Sequence, residues 1–239
     1  MNFLIGQVFS FDKPYGMTSF QLVAKVRWLL TRAMQGRKIK VGHAGTLDPL
    51  ATGVMVVCTG RATKRIEQLQ AGVKEYVATL ALGATTPSFD LEHPIDRTFP
   101  TDHITEEMVR QTLRRFEGEI MQVPPVYSAC KVNGARAYDL ARSGKGDEVE
   151  LKAKPLRIDE LELLDCDLAA KRLRLRVVCS KGTYIRALAR DIGLALDSGA
   201  HLTALQRTRV GDYGLPEAFS LDSFESWLAQ QTIETELPQ

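Results

Sequence analysis

The chain has 239 residues, of which 44% are apolar and 25% charged, and 31 Lys or Arg stand against 29 Asp or Glu for a net charge of +2. These values exclude a wholly disordered or collagen-like chain, and the length suits one large domain or two small ones with ample core. No run approaches about 18 consecutive apolar residues, and Met1 to Gln7 has neither a positive n-region nor a long apolar stretch, so neither a membrane span nor a secretory signal is expected.

The first strand is expected over Val8-Phe9-Ser10-Phe11, ended by the turn signal Asp12-Lys13-Pro14-Tyr15-Gly16. Thr18 opens a helix, and Gln21 three residues on completes a capping box. Leu22, Val26, Leu29 and Leu30 recur at helical spacing and give the helix one buried face, while Lys25 and Arg32 lie on its other side. Gly53 to Gly60 reads as a buried strand bounded by glycines, and residues 73–83 as another. Residues 84–103 are turn-rich and polar; Thr105 caps a helix that runs to about Phe116. Residues 118–146, with Pro124-Pro125 and several glycines, read as a long, partly helical excursion rather than core, a kind of segment that is usually functional or disordered. Strands follow near 155–166 and 171–180, then a helix from about Tyr184 to Leu196, an extended segment over 201–213, and a short acidic helix containing Trp227. Several neighbouring strands have connections too short for helical crossovers. The expected fold is therefore α+β, a mixed, largely antiparallel sheet flanked by helices.

The small net charge conceals an asymmetry. Residues 1–75 carry 11 cations and 4 acids, whereas residues 217–239 carry 5 acids and no Lys or Arg. A basic first third suits a polyanionic partner, although a solvated face explains it as well. The four cysteines, Cys58, Cys130, Cys166 and Cys179, are far apart and form no C-x-x-C pair. A zinc site and a disulfide framework are not expected, and the reading is a cytoplasmic protein.

The chain holds no P-loop, no G-x-G-x-x-G after a strand, no H-E-x-x-H and no G-x-S-x-G. One loop stands out, Gly42-His43-Ala44-Gly45-Thr46-Leu47-Asp48-Pro49-Leu50-Ala51-Thr52-Gly53. Its glycines and proline fix an irregular path on which Asp48 is the one acid. A carboxylate on such a loop beside a basic surface suits a nucleophile or general base acting on a bound polyanion. A turn begun by Asp48-Pro49, with His43 a mere loop histidine, accounts for the same residues without chemistry. A second cluster runs from Cys179 to Arg190. Arg186 and Arg190 sit four apart near a helix start, where the helix dipole disfavours cations, so an anion is expected to meet them.

These segments, in order, resemble the bacterial tRNA pseudouridine-55 synthase family, the TruB type. The resemblance is carried by Phe11 to Ser19, Val41 to Gly53, Lys74-Glu75-Tyr76, Pro124 to Lys131, Cys179 to Arg186, and Gly199 to Leu202, and so spans nearly the whole chain. It implies a pseudouridine synthase fold and isomerisation of a T-loop uridine of tRNA to its C-glycoside, with no metal or organic cofactor and no obligate protein partner. Asp48 is then the catalytic nucleophile and Arg186 its counter-ion. Tyr76 contacts the extruded uracil and is a candidate base for the carbon-5 proton, with Asp48 the other. His43 stacks in the T-loop, and Tyr184 and Leu205 line the uridine pocket. Attack on the sugar, attack on the base and a glycal route all remain open as first steps. Residues 118–146 fit an insertion that clasps RNA. Lys131, Arg136, Arg142, Arg37, Lys38, Lys40, Lys64 and Arg65 are phosphate-contact candidates. The resemblance implies a catalytic domain over 1–215 and a short acidic tail over 216–239, too short for the C-terminal PUA barrel that many family members carry. A non-catalytic RNA-binding module on the same fold is the rival reading. A glycosidase is a weaker one, because the matched segments offer no second carboxylate.

Overall fold

A computed structural model describes residues 1–128, 130–132, 135–136 and 151–236. In chain order the elements are β1 (Val8–Lys13), α1 (Ser19–Ala33), β2 (Val41–His43), β3 (Ala51–Thr59), a 3-10 turn (Gly60–Arg65), α2 (Ile66–Ala71), β4 (Lys74–Leu82), β5 (Ala84–Thr85), β6 (Arg97–Thr98), α3 (Glu106–Arg114) and β7 (Gly118–Gln122). They continue with β8 (Lys131–Val132), β9 (Ala135–Arg136), β10 (Lys154–Asp167), β11 (Arg172–Cys179), α4 (Ile185–Ala195), β12 (Ala200–Val210), β13 (Tyr213–Gly214) and α5 (Leu221–Ala229). The expected α+β class, with a mixed, mostly antiparallel sheet, is what the elements form.

The chain divides into two compact units. The first holds residues 1–76 and 206–239. Its strands run in the order β1-β3-β12, with β2 also on β3 and β13 on β12. Residues 54–58 of β3 are buried on both faces, which is why they read as one apolar run rather than an alternation. Met55 and Val57 face a core built with α1 (Leu22, Val26, Leu29, Leu30), Phe9, Phe11, Phe224 and Leu228. Val54 and Val56 face the opposite side with Ala44 and Val210. The capping box at Thr18 and Gln21 forms as expected. The tail is fastened to β1 and to the N-terminus. Phe219 forms a parallel bridge with Phe11, Phe224 stacks its edge on Phe11 at 4.9 Å, and the Glu234 amide donates to the Met1 carbonyl.

The second unit holds residues 77–205, with strand order β12-β4-β11-β10-β7. Strand β11 alternates: Leu173, Leu175 and Val177 are buried, while Arg172 and Arg176 pair with acids of β10, including Asp165 at 3.2 Å and Glu160 at 2.6 Å. These cations are thus neutralised across the strand pair. Thr105 caps α3 as expected, and α3 packs on β10 and α4.

The reading of 118–146 as a partly helical excursion needs correction at its start. Residues 118–122 are strand β7, paired antiparallel with residues 154–158 of β10, and Lys131–Val132 pairs with Ala135–Arg136 as a hairpin. The alternation of half-buried Ile120 with exposed Met121 makes the strand, but it is too short to stand out beside Pro124-Pro125. Arg142 and Lys145 and the side chains of Lys131 and Arg136 lie outside the described residues.

Candidate functional site

In the first unit the chain leaves β2 at His43 and re-enters sheet at Ala51, and Asp48 sits on the loop between. Main-chain carbonyls of this loop are gripped from three directions. Ser19, at the start of α1, has its hydroxyl 2.9 Å from both the amide and the carbonyl of Leu47, donating to one and accepting from the other. Lys13, at the end of β1, donates from Nζ to the carbonyls of Pro14 (2.9 Å), Met17 (2.6 Å) and Pro49 (3.2 Å). Arg207, on β12, donates to the carbonyls of Val54 (2.7 Å), Gly45 (3.1 Å) and Thr46 (3.4 Å). Gly53 lies at φ +102°, and a Cβ there would stand 2.2 Å from the Arg207 carbonyl oxygen, so only glycine lets β12 come this close. Asp48 is therefore held by a loop whose shape is set through its neighbours' backbone.

The electrostatics follow from burial. Lys13 is 0% exposed, and desolvation pulls its pKa from 10.5 down to about 8, while Asp48 nearby opposes the shift and Arg207 adds to it. At neutral pH a lysine cation thus stands near the loop carboxylate. Burial also lowers the pKa of His43, against an opposing Gly45 backbone contact, so its imidazole is neutral at pH 7. His43 Nδ1 is buried without a hydrogen-bond partner among the described residues.

The Lys13 shift fixes a sign for pH dependence. Between about pH 8 and 10.5 the unfolded chain holds the lysine proton and the folded protein releases it, so this group makes the protein more stable as pH rises through that window. Lys13→Met is expected to remove that gain, narrowing the rise in unfolding free energy between pH 7.5 and 10 by roughly 2 kcal/mol, on the basis of ~1.4 kcal/mol per pKa unit. Urea unfolding of both proteins at the two pH values measures it; parallel pH dependences would refute the assignment.

Tyr76, near the start of β4, is buried and belongs to the same unit as Asp48 and His43. Tyr184, Arg186 and Leu205 belong to the other unit. Tyr184 precedes α4, and the side chain of Gln122 brackets it, accepting from its amide at 2.9 Å and donating to its carbonyl at 3.2 Å. Burial raises the Tyr184 phenol pKa, a Ser128 hydrogen bond countering it, so the hydroxyl stays protonated. Leu205 is half-buried on β12.

Arg186, on the first turn of α4, is 5% exposed and so is not a surface arginine. It donates to the carbonyls of Ser88 (3.2 Å) and Tyr127 (2.9 Å), and its Nε lies 3.7 Å from Asp90 Oδ2. Asp90 is itself buried and accepts from the Ser88 hydroxyl at 2.5 Å and from the Glu92 amide at 3.0 Å. The anion expected near this helix start is thus present in part as Asp90. Arg190 meets the Val123 carbonyl and Asp191. His201, in the last matched motif, is a core residue whose Nδ1 is 3.0 Å from the Ala84 carbonyl.

Sequence reasoning missed Lys13, Gln122, Arg207 and Asp90. Lys13 follows Asp12 at a strand end and Arg207 stands among Gln206, Thr208 and Arg209, so their sequence neighbours do not set them apart. Asp90 lies in a turn that also carries Glu92 and Asp96, so nothing local sets it apart. Among the described residues no cluster of His, Cys, Asp and Glu is arranged to hold a metal, and the four cysteines are free thiols.

Comparison with known proteins agrees with the resemblance read from the motifs. The family model described as TruB family pseudouridylate synthase (N terminal domain) matches residues 32–185. The model for the tRNA pseudouridylate synthase B C-terminal domain matches residues 186–239. A Phocaeicola vulgatus protein named tRNA pseudouridine synthase B is 65% identical over 98% of each chain. A Bacteroides thetaiotaomicron protein of the same name is 63% identical over 99% of this chain and 98% of its own. Among solved structures, that of a Cbf5-Nop10-Gar1 complex is similar at a TM-score of 0.68 and 30% identity, over 94% of this chain and 56% of the matched one. That of an H/ACA RNP bound to a substrate RNA containing 2'-deoxyuridine is similar at 0.65 and 28%, over 92% and 52%. This chain thus spans little more than half of those two longer chains. With both models joined end to end over residues 32–239, and relatives above 60% identity along nearly its full length, the chain belongs to the TruB family of pseudouridylate synthases.

Proposed function

We propose that this protein converts a uridine of the tRNA T-loop, position 55, to pseudouridine, with Asp48 as nucleophile and no metal or organic cofactor. The observation that carries the reading is the Asp48 loop, braced by Ser19, Lys13 and Arg207, in a chain whose close relatives are named for tRNA pseudouridine synthesis. The reaction breaks the bond from the uracil N1 to the ribose C1′ and makes one from C5 to C1′, after which C5 gives up its proton and N1 gains one. Each of the open routes for the first step requires an ionised carboxylate. Arg186 is proposed as the counter-ion of Asp48, and Tyr76 as the ring that stacks on the uracil, with its hydroxyl a candidate for the C5 proton. His43, Tyr184 and Leu205 are assigned to the RNA and the uridine pocket; a neutral His43 suits stacking. The base must leave the folded loop to react, at a cost on the order of a few kcal/mol that aromatic faces partly return. The setting is the cytoplasm.

A non-catalytic RNA-binding module has no need of a braced acid on a basic surface. Incubation of the protein with a tRNA transcript tritiated at uridine C5, with chelator present, separates the two. Tritium release, together with a carbodiimide-dependent reverse-transcription stop at position 55, is expected. RNA binding with no release would favour the binding module.

A further inference from the structure

The outer face of α1 is not used by any step above. Ser19 ties the start of this helix to Leu47 of the Asp48 loop, and its inward face is filled by Leu22, Val26, Leu29 and Leu30. Phe20, Ala24 and Trp28 follow at four-residue spacing on the other side, which keeps them on one side of the helix. Phe20 is 73% exposed and Trp28 51% exposed, and Tyr15, just before the helix, is 62% exposed. The Lys25 ammonium lies 4.4 Å from the Trp28 ring centroid and the Arg32 guanidinium 5.6 Å from it. Large aromatic rings left in water mark an interaction surface, because a soluble fold gains by covering them.

Charge identifies the partner. From Lys13 to Leu47 the chain carries seven cations, Lys13, Lys25, Arg27, Arg32, Arg37, Lys38 and Lys40, and no acid. The ion pair that α1 makes among the described residues is Arg32 with Glu225 of α5, exposed and at 3.7 Å, whereas Arg172 and Arg176 of β11 are matched by acids on the next strand. A protein interface depletes lysine from its centre; a ring flanked by a lysine and an arginine is what a nucleobase on a phosphate backbone needs. A paired stem hides its base faces, so the bases that reach Trp28 are unpaired ones. Trp28 lies nine residues from Ser19, roughly 13 Å along the helix at ~1.5 Å per residue, so a nucleotide over Trp28 is not the one whose base enters at the Asp48 loop.

We propose that the outer face of α1 is a second RNA-binding surface, on which Trp28, flanked by Lys25 and Arg32, stacks an unpaired nucleotide of the substrate from outside the T-stem-loop. The proposal rests on the RNA substrate assigned above.

The test uses the two tryptophans. Trp227→Phe leaves Trp28 as the single fluorescent indole in the chain. A tRNA transcript is expected to quench Trp28 emission, and an isolated T-stem-loop to leave it unchanged. Trp28→Ala is expected to weaken tRNA binding about 5- to 20-fold, within the range seen for loss of one base–aromatic stack. Lys25→Glu is expected to weaken it as well, with a shallower salt dependence. Neither change should alter turnover of the T-stem-loop. The proposal is overturned if tRNA leaves Trp28 emission unchanged, if the stem-loop quenches it equally, or if Trp28→Ala binds tRNA as the wild type does. It is also overturned if sedimentation shows a dimer that Trp28→Ala dissolves at unchanged RNA affinity, which would give the face to a second copy of the chain. If the wild type converts no uridine in either RNA, the reading of the activity fails, and the quenching titration still decides the role of α1.

Discussion

Asp48→Asn is expected to lower tritium release from C5-labelled tRNA by about 10³-fold or more, the scale on which loss of one essential catalytic group is felt, while leaving the fold intact. The substitution is nearly isosteric and removes the charge that a nucleophile requires. The loop keeps its shape because its braces reach main-chain atoms on either side of residue 48: Ser19 at Leu47, Lys13 at Pro49, Arg207 at Gly45 and Thr46. The melting temperature should therefore stay close to that of the wild type. A second readout is independent of activity. Asp48 is the leading influence that holds up the Lys13 pKa against burial. Its neutralisation should carry that pKa below about 8, which NMR of a lysine-labelled sample can follow. Undiminished turnover in the variant would remove Asp48 from the chemistry. A lost fold would show that the carboxylate itself, and not the backbone braces, organises the loop.

The braces also explain what could and could not be seen in the chain beforehand. The start of α1 was legible because its signal is local: Thr18 and Gln21 lie within one turn and bond to each other's backbone. The pair β10 and β11 was legible from alternation, since one face is buried and the other carries charge. The Asp48 loop was legible because its glycines and proline are uncommon together and enclose one acid. Arg207 was not, because its three acceptors are backbone carbonyls, which every residue type supplies equally. Strand β7 was hidden for a related reason: what makes residues 118–122 a strand is a partner far along the chain, residues 154–158. Asp90 sits in a turn where acids are common, and what sets it apart, burial against Arg186, exists only after folding.

That buried pair leads to the second large expected effect. Arg186→Met is expected to cost about 3–5 kcal/mol of folding stability, the range for removing one partner of a buried ion pair, as well as most of the activity. The loss has two sources. The carboxylate of Asp90 keeps its bonds to the Ser88 hydroxyl and the Glu92 amide but loses its neighbouring cation. The carbonyls of Ser88 and Tyr127 lose the donors that tie residues 88 and 127 to the start of α4. Adding Asp90→Asn to Arg186→Met should return part of the stability, since the stranded charge is gone, but no activity, since the guanidinium proposed to meet Asp48 is still missing. Urea unfolding of the single and double variants gives the coupling between the two sites, and tritium release gives the activity. Arg186→Lys keeps the charge and not the planar fork, so it should fall between: near-native in its effect on Asp90, and deficient in holding the two carbonyls. If the double variant is no more stable than Arg186→Met alone, Asp90 is not the partner whose burial Arg186 offsets, and the stabilising role of the arginine rests on the carbonyls alone.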